Sequence, residues 1–207
     1  LDTPHDGLWI ERKMEPMKVE SMLLDRDGVI NRLIDRDGEE ISPQSIEDFE
    51  FLPGSREAIR MAKERGLSIY VISNQPDVSK EWRYLSKDKL EKIDQRLRGV
   101  GVDQIYNCIH GPVGGRKNKA YRGEGGDIRT CDCRKPQPGL IDECFSENRL
   151  TAEKTVLVGD SRTDMIAAKR FEEKNGERFC SKIKLGDDKG LCHKNMGCLM
   201  EVVKELS

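Results

Sequence analysis

Short apolar runs in this chain end repeatedly in residues that carry chemistry, and each run is followed by a helix-like segment. Met22-Leu23-Leu24 runs into Asp25, Leu67 to Ile72 into Ser73 and Asn74, and Thr155 to Gly159 into Asp160. A further run, Gln104 to Ile109, passes through Cys108 and ends at His110, and Arg178 to Leu185 reads as a fifth strand. Between them, helices are predicted over about 55–65, with Ser55 as N-cap, and from Ser86 as cap to Gly99. Others are predicted from Gly139, over about 163–174, and over 198–206. Strands alternating with helices build a parallel sheet covered on both faces, and such sheets bind ligands beyond the carboxyl ends of their strands. The predicted fold class is therefore α/β, with a parallel sheet flanked by two helix layers. Asp25, Asp27, Ser73, Asn74 and Asp160 are expected around one crevice.

Composition narrows the function classes. A chain of 207 residues suffices for one domain with a sizeable core. Its 36 basic and 38 acidic residues give a net charge of -2, which leaves no nucleic-acid or membrane footprint. No apolar run approaches the ~20 residues that span a bilayer. Residues 1–18 lack the pattern of a signal peptide and are expected to form a tail or packed-back extension, with 19–207 as a single domain. Seven cysteines, an odd number, suit thiols kept for metal or burial in a reducing cytoplasm.

The strand tips carry the chemistry. Asp25 and Asp27, at i and i+2, share one side of an extended chain, with Arg26 pointing elsewhere, and Gly28 permits a tight turn. Such a pair can divide labour, one carboxylate attacking while the other is held protonated; a plain Asp-Gly turn is the alternative. Ser73 can donate to an anionic oxygen and Asn74 can orient a substrate or backbone group, although Ser-Asn also ends many ordinary strands. Asp160, with Asp25 and a main-chain carbonyl, offers an oxygen-rich site suited to Mg²⁺. Asp164 is expected mainly to cap the following helix. Lys135 supplies a point charge and Arg134 a planar fork for phosphate oxygens, whereas a lone Arg-Lys-Pro is commonly a solvated patch.

Two further pairs, Cys108 with His110 and Cys131 with Cys133, are each spaced by one residue. They can converge on a tetrahedral Cys₃His zinc site, which has no open position and is therefore structural. Unligated buried thiols are the alternative; a Cys131–Cys133 disulfide is disfavoured by their proximity. Cys180, Cys192, His193 and Cys198 match no metal spacing and read as incidental thiols. The Gly114–Gly126 stretch, with Arg116, Lys117, Lys119 and Arg122, reads as a solvated basic loop or a second anion contact.

Four strings in this order, "DRDGVIN", "SNQ", "RKPQPG" and "GDSRTD", resemble the haloacid dehalogenase superfamily of aspartyl phosphotransferases over about 19–176. The resemblance implies a Rossmann-like three-layer fold. It implies that Asp25 attacks phosphorus and that Asp27 protonates the leaving alcohol and then activates water. Mg²⁺ would lie between Asp25, the Asp27 carbonyl and Asp160, while Ser73 and Lys135 hold phosphate. The Cys-x-His and Cys-x-Cys pairs before Arg-Lys-Pro resemble the branch of heptose bisphosphate and histidinol phosphatases. The short intervals leave no room for a large cap domain, so the 108–133 zinc-pinned loop and residues 31–50 and 76–86 would shape access. By resemblance the expected substrate is D-glycero-D-manno-heptose 1,7-bisphosphate, with histidinol phosphate as the alternative enzyme reading. A zinc-stabilised nucleic-acid-binding module is the alternative from another class. "SNQPDVSKEW" departs from the branch in lacking a Gly-Ile-Ala-Arg-Gly string, so Pro76 and Asp77 put the substrate in question rather than the chemistry. A small phosphorylated metabolite is the expected partner, without nucleic acid or membrane. Oligomeric state is not legible in the sequence, with a monomer favoured.

Overall fold

A computed structural model describes residues 18–79, 85–110, 131–186 and 194–206. Residues 1–17 of the expected extension, the 114–126 loop, Cys192 and His193 lie outside them. Six strands form one sheet in the order β5-β4-β1-β6-β7-β8, every neighbouring pair parallel. They are β1 (Ser21–Leu24), β4 (Ser68–Asn74), β5 (Gln104–Cys108), β6 (Thr155–Gly159), β7 (Ser181–Leu185) and β8 (Lys194–Met196). β1 is central and all four of its residues are buried, as a parallel strand covered on both faces requires.

Alternation along the strands divides the core in two. Met22 and Leu24 join Ile69, Val71, Val156 and Val158 on one face, packed with α1 (Ser55–Glu64), α2 (Lys87–Arg98) and α5 (Leu199–Glu205). Leu23 joins Tyr70, Ile72 and Leu157 on the other, under α3 (Gly139–Asn148) and α4 (Arg162–Asn175). The α2 stripe of Leu90, Ile93 and Leu97 is buried as its helical spacing requires, and Ser86 caps the helix by accepting from Lys89 N at 3.3 Å.

The helix bounds match the sequence reading within about two residues, an ordinary margin for helix ends. Ser55 is a correction. Gly54, with φ 76°, occupies the N-cap of α1, and Ser55 Oγ instead donates to the carbonyls of Ile30 at 2.7 Å and Leu52 at 2.9 Å. Strands absent from the sequence reading are β8 and the antiparallel hairpin of β2 (Ile34–Arg36) and β3 (Glu39–Ile41). Each has three residues, and none carries the β-branched run that marked the others. The hairpin lies within 31–50, after the first strand tip. Among the described residues no helix is long and apolar enough to cross a membrane.

Candidate active site

The first strand tip sets the site. Asp25 follows β1, its amide donating to the Val158 carbonyl at 2.9 Å, while its Oδ1 accepts from Arg26 N at 2.7 Å. The chain then turns, with Gly28 at φ 82° and its amide donating to the Asn31 carbonyl at 2.9 Å. A Cβ on Gly28 would stand 1.9 Å from Asp160 Oδ2, so glycine alone admits the Asp160 carboxylate over this turn. Gly159 makes the same room for Asp164, whose Cβ would be 2.4 Å from a side chain there.

Carboxylate oxygens of Asp25, Asp160 and Asp164 consequently lie within 4.8 Å of one another. Burial, then the charge of Asp164, pushes Asp25 up to about 8. The same two causes, in the same order, push Asp160 up to about 6. Crowded acids that retain protons are a donor set fitted to a hard divalent cation, which would displace those protons.

Asp27 is not in that cluster. Its Oδ1 accepts from Asn31 Nδ2 at 2.8 Å and Arg26 Nη2 at 3.0 Å, and its Oδ2 from Gln75 Nε2 at 2.7 Å and Ser42 Oγ at 2.9 Å. Burial opposes its charge, yet the Arg26 guanidinium and hydrogen bonds from Asn31, Gln75 and Ser42 hold it below the usual carboxylate range. Two expectations are corrected here. Arg26 does not point away: it is fully buried and curls back onto Asp27, because β1 ends at Leu24 and strand alternation no longer applies. Nor is Asp27 held protonated in the free protein, where these donors keep it an anion.

Lys135 is buried at 3% exposure and faces the acids. Its Nζ lies 2.8 Å from Asp25 Oδ1, 2.6 Å from Asp164 Oδ1 and 2.9 Å from the Ile72 carbonyl. Burial disfavours its charge, but Asp164 and Asp25 outweigh burial and raise its proton affinity. Asp164 acts twice: Oδ2 accepts from Ser161 N at 3.1 Å in the capping box of α4, and Oδ1 pairs with Lys135. Asn74 holds the lysine's backbone. Its Nδ2 donates to the Lys135 carbonyl at 3.0 Å and its Oδ1 accepts from Lys135 N at 3.0 Å.

Beside this lies the cysteine cluster, at the end of β5. Sγ of Cys131 is 2.9 Å from Cys133 and 3.6 Å from Cys108, and Cys133 is 3.1 Å from Cys108. His110 Nδ1 is 3.0, 3.1 and 3.6 Å from Cys131, Cys133 and Cys108. Four soft donors at nearly equal mutual distances form a compact tetrahedron, somewhat tighter than the ~3.8 Å edges implied by ~2.3 Å zinc–sulfur bonds. The hydrogen bond from Cys133 pulls Cys108 down to about 5, so the cluster favours a thiolate. The donor chemistry fits zinc with no open position. The cluster is wired to the acid site: Gln75 N donates to the Cys108 carbonyl at 2.6 Å, and Arg134 Nη1 to the His110 carbonyl at 3.2 Å.

The structure thus gathers Asp25, Asp160, Lys135, Asn74 and Ser73 at the strand tips, with Asp27 behind them. Ser73 Oγ accepts from Gln75 Nε2 at 2.8 Å, so one amide links it to Asp27. Asn74 and Arg134, expected among the substrate-binding residues, bond the backbone of Lys135 and His110. Sequence reasoning assigned no role to Gln75, Asn31, Ser42 or Gln44. Gln75 and Asn31 stood inside the quoted "SNQ" and "DRDGVIN" strings; Ser42 and Gln44 carried no signal. Of the terminal thiols, Cys180 is exposed and Cys198 partly buried.

Comparison with known proteins gives a consistent picture. A family model described as HAD-hydrolase-like matches residues 132–174. The chain is 31% identical over 161 residues to the D-glycero-β-D-manno-heptose-1,7-bisphosphate 7-phosphatase of Pasteurella multocida, covering 75% of this chain and 78% of that protein. It is 32% identical to the protein of the same name from Helicobacter pylori, covering 75% and 80%. In fold it is similar to a D,D-heptose 1,7-bisphosphate phosphatase of B. bronchiseptica complexed with magnesium and phosphate. That likeness has a TM-score of 0.68 at 23% identity, over 91% of this chain and 98% of that one. A putative HAD-like phosphatase from Mesorhizobium loti superposes with a TM-score of 0.66 at 22% identity, over 92% and 88%. Sequence identity across most of both chains, on this architecture, establishes that the chain belongs to the D-glycero-D-manno-heptose-1,7-bisphosphate 7-phosphatase family of haloacid dehalogenase-like hydrolases.

Proposed function

We propose that this protein is a Mg²⁺-dependent phosphatase that removes the 7-phosphate of D-glycero-D-manno-heptose 1,7-bisphosphate through an aspartyl-phosphate on Asp25. One observation carries the reading: Lys135 Nζ is clamped between Asp25 and Asp164, with Asp160 beside them, at the carboxyl ends of β1 and β6. Phosphoryl transfer asks mainly for in-line positioning and charge neutralisation, and this arrangement supplies both. Magnesium, held by Asp25, Asp160 and the Asp27 main-chain carbonyl, supplies neutralisation of the phosphoryl oxygens when bound.

The residues divide the work as follows. Arg26 N and Lys135 Nζ both bond Asp25 Oδ1, orienting the carboxylate for attack at phosphorus. The Asp25 O–P bond forms as the bond from phosphorus to the sugar oxygen breaks, while Lys135 and Ser73 balance charge on the phosphoryl group. The negative charge of an incoming phosphate raises the proton affinity of Asp27, which takes up a proton from solvent as the substrate binds and delivers it to the leaving sugar oxygen. In the second half Asp27 is the anion its four donors favour, and it takes a proton from the water that attacks phosphorus. Asp25 is thereby released and inorganic phosphate formed. Zinc, held by Cys108, His110, Cys131 and Cys133, supplies a closed crosslink that fixes Arg134 and Lys135. The catalytic unit is the single domain 19–207, working in the cytoplasm, where the thiols stay reduced.

The test is turnover with Mg²⁺ across both anomers of the 1,7-bisphosphate, heptose and hexose monophosphates, and histidinol phosphate. The bisphosphate is expected to give the highest kcat/KM. Preference for histidinol phosphate would overturn the substrate. Salt-sensitive nucleic-acid binding without hydrolysis would overturn the enzyme reading.

A further inference from the structure

Behind Asp27 a closed ring of hydrogen bonds joins the segments expected to shape access. Gln44 and Asp77 are 1% and 4% exposed, and the two side chains bond each other. Gln44 Nε2 donates to Asp77 Oδ2 at 2.9 Å and to the Ser42 carbonyl at 2.8 Å, while its Oε1 accepts from Leu85 N at 3.3 Å. Its own amide donates to Asp48 Oδ2 at 3.1 Å. Ser42 Oγ then donates to Asp27 Oδ2 at 2.9 Å, the same oxygen that accepts from Gln75 Nε2 at 2.7 Å. Asp77, in the 3₁₀ turn Pro76–Ser79, lies two residues beyond Gln75. The ring runs Asp27, Ser42, Gln44, Asp77 and along the backbone to Gln75.

We propose that Gln44 and Asp77 are positioning residues, which lock residues 42–48 to the Pro76–Ser79 turn at one spacing and so set the Ser42 and Gln75 donors on Asp27. The inference rests on the reading of Asp27 as the proton donor given above. Two donors from separate segments meet on one carboxylate oxygen, so the orientation of that carboxylate depends on the spacing of the segments. A buried amide–carboxylate bond is directional and costly to leave unmade, which suits it to fixing that spacing. This also accounts for Asp77 at a position where the sequence departs from its branch: it braces the wall of the site and does not read the sugar.

The test exploits leaving-group chemistry. A sugar alkoxide must be protonated as it departs, whereas the phenolate of p-nitrophenyl phosphate leaves without a proton. Gln44→Glu places a carboxylate of equal size against Asp77. It is expected to slow sugar release from heptose 1,7-bisphosphate in a single turnover by about 10- to 100-fold. The pre-steady-state burst of p-nitrophenolate should slow by less than about threefold in the same variant, since that first displacement needs little general-acid catalysis and precedes hydrolysis of the phosphoenzyme. Adding Asp77→Asn reverses donor and acceptor between the two positions and should recover part of the lost rate, the Ser42 carbonyl still lacking its donor. Equal losses on both substrates, no loss, or no recovery in the double variant would each overturn the proposal. Gln44→Met, which removes the bonds without adding charge, carries the same comparison if Gln44→Glu does not fold. Asp27→Asn separates the two levels. If it slows leaving-group release from both substrates equally, the reading of Asp27 as proton donor fails; if it spares release from the aryl ester and Gln44→Glu does not, this inference alone fails.

Discussion

Replacing Lys135 by methionine keeps the length of the side chain and removes its charge and its three contacts. At an effective dielectric constant near 20, each carboxylate at 2.6–2.8 Å attracts the ammonium by about 6 kcal/mol before desolvation is counted. Desolvation of a lysine buried this deeply cancels much of that gross attraction. Breaking a buried pair still costs about 3–5 kcal/mol, because the carboxylates left behind have no counter-charge. Asp25, whose proton affinity burial already raises, can relieve part of this cost by taking a proton, so the loss should be smaller at pH 5.5 than at pH 8. Turnover should fall about 10²- to 10³-fold, the usual effect of deleting one preorganised stabiliser of developing charge. Urea unfolding at the two pH values and steady-state kinetics make the assay. A pH-independent loss of stability, together with kcat within about threefold of the parent, would refute the clamp.

Other outcomes follow from the same geometry. Asp25 and Asp160 bind protons more tightly in the folded chain than in the unfolded one, since both are pushed up, to about 8 and about 6. Where the folded state binds more protons, stability falls as pH rises, so the metal-free protein should lose Tm between about pH 4 and pH 6; above that, the Cys108 thiol held near 5 offsets the continuing loss at Asp25. Mg²⁺ replaces those protons and should raise Tm more at pH 8 than at pH 5.5; a flat profile without metal would contradict this. Cys131→Ser should lower bound zinc and raise KM for the bisphosphate, because Gln75 and Arg134 are tied to the cluster's backbone. Metal analysis that finds no zinc in the parent protein would end that account.

Much of the site was legible because its parts sit at strand tips, where one-dimensional order and three-dimensional place coincide. Asp25, Ser73 and Asp160 each end an apolar run, and the paired spacing of Cys108, His110, Cys131 and Cys133 announces a cluster. Strand alternation failed one residue too late: it was extended through Arg26 and Asp27, although β1 ends at Leu24 and the chain turns on Gly28. Arg26 therefore folds onto Asp27 where alternation sends it away. The sequence allows Asn74 to orient a substrate or a backbone group; both ends of its amide bond the backbone of Lys135, 61 residues away, and no local pattern encodes that partner. Ser42 and Gln44 lie in a segment without periodicity, and their meaning exists only once Asp27 and Asp77 are brought beside them.

The stereochemical course at phosphorus tests the central claim most directly. With a phosphorothioate analogue of the substrate made chiral at phosphorus by two oxygen isotopes and hydrolysed in water carrying the third, two successive in-line displacements through an aspartyl-phosphate on Asp25 give net retention of configuration. A single attack by water gives inversion. Retention is the predicted result, and inversion would contradict Asp25 as the nucleophile.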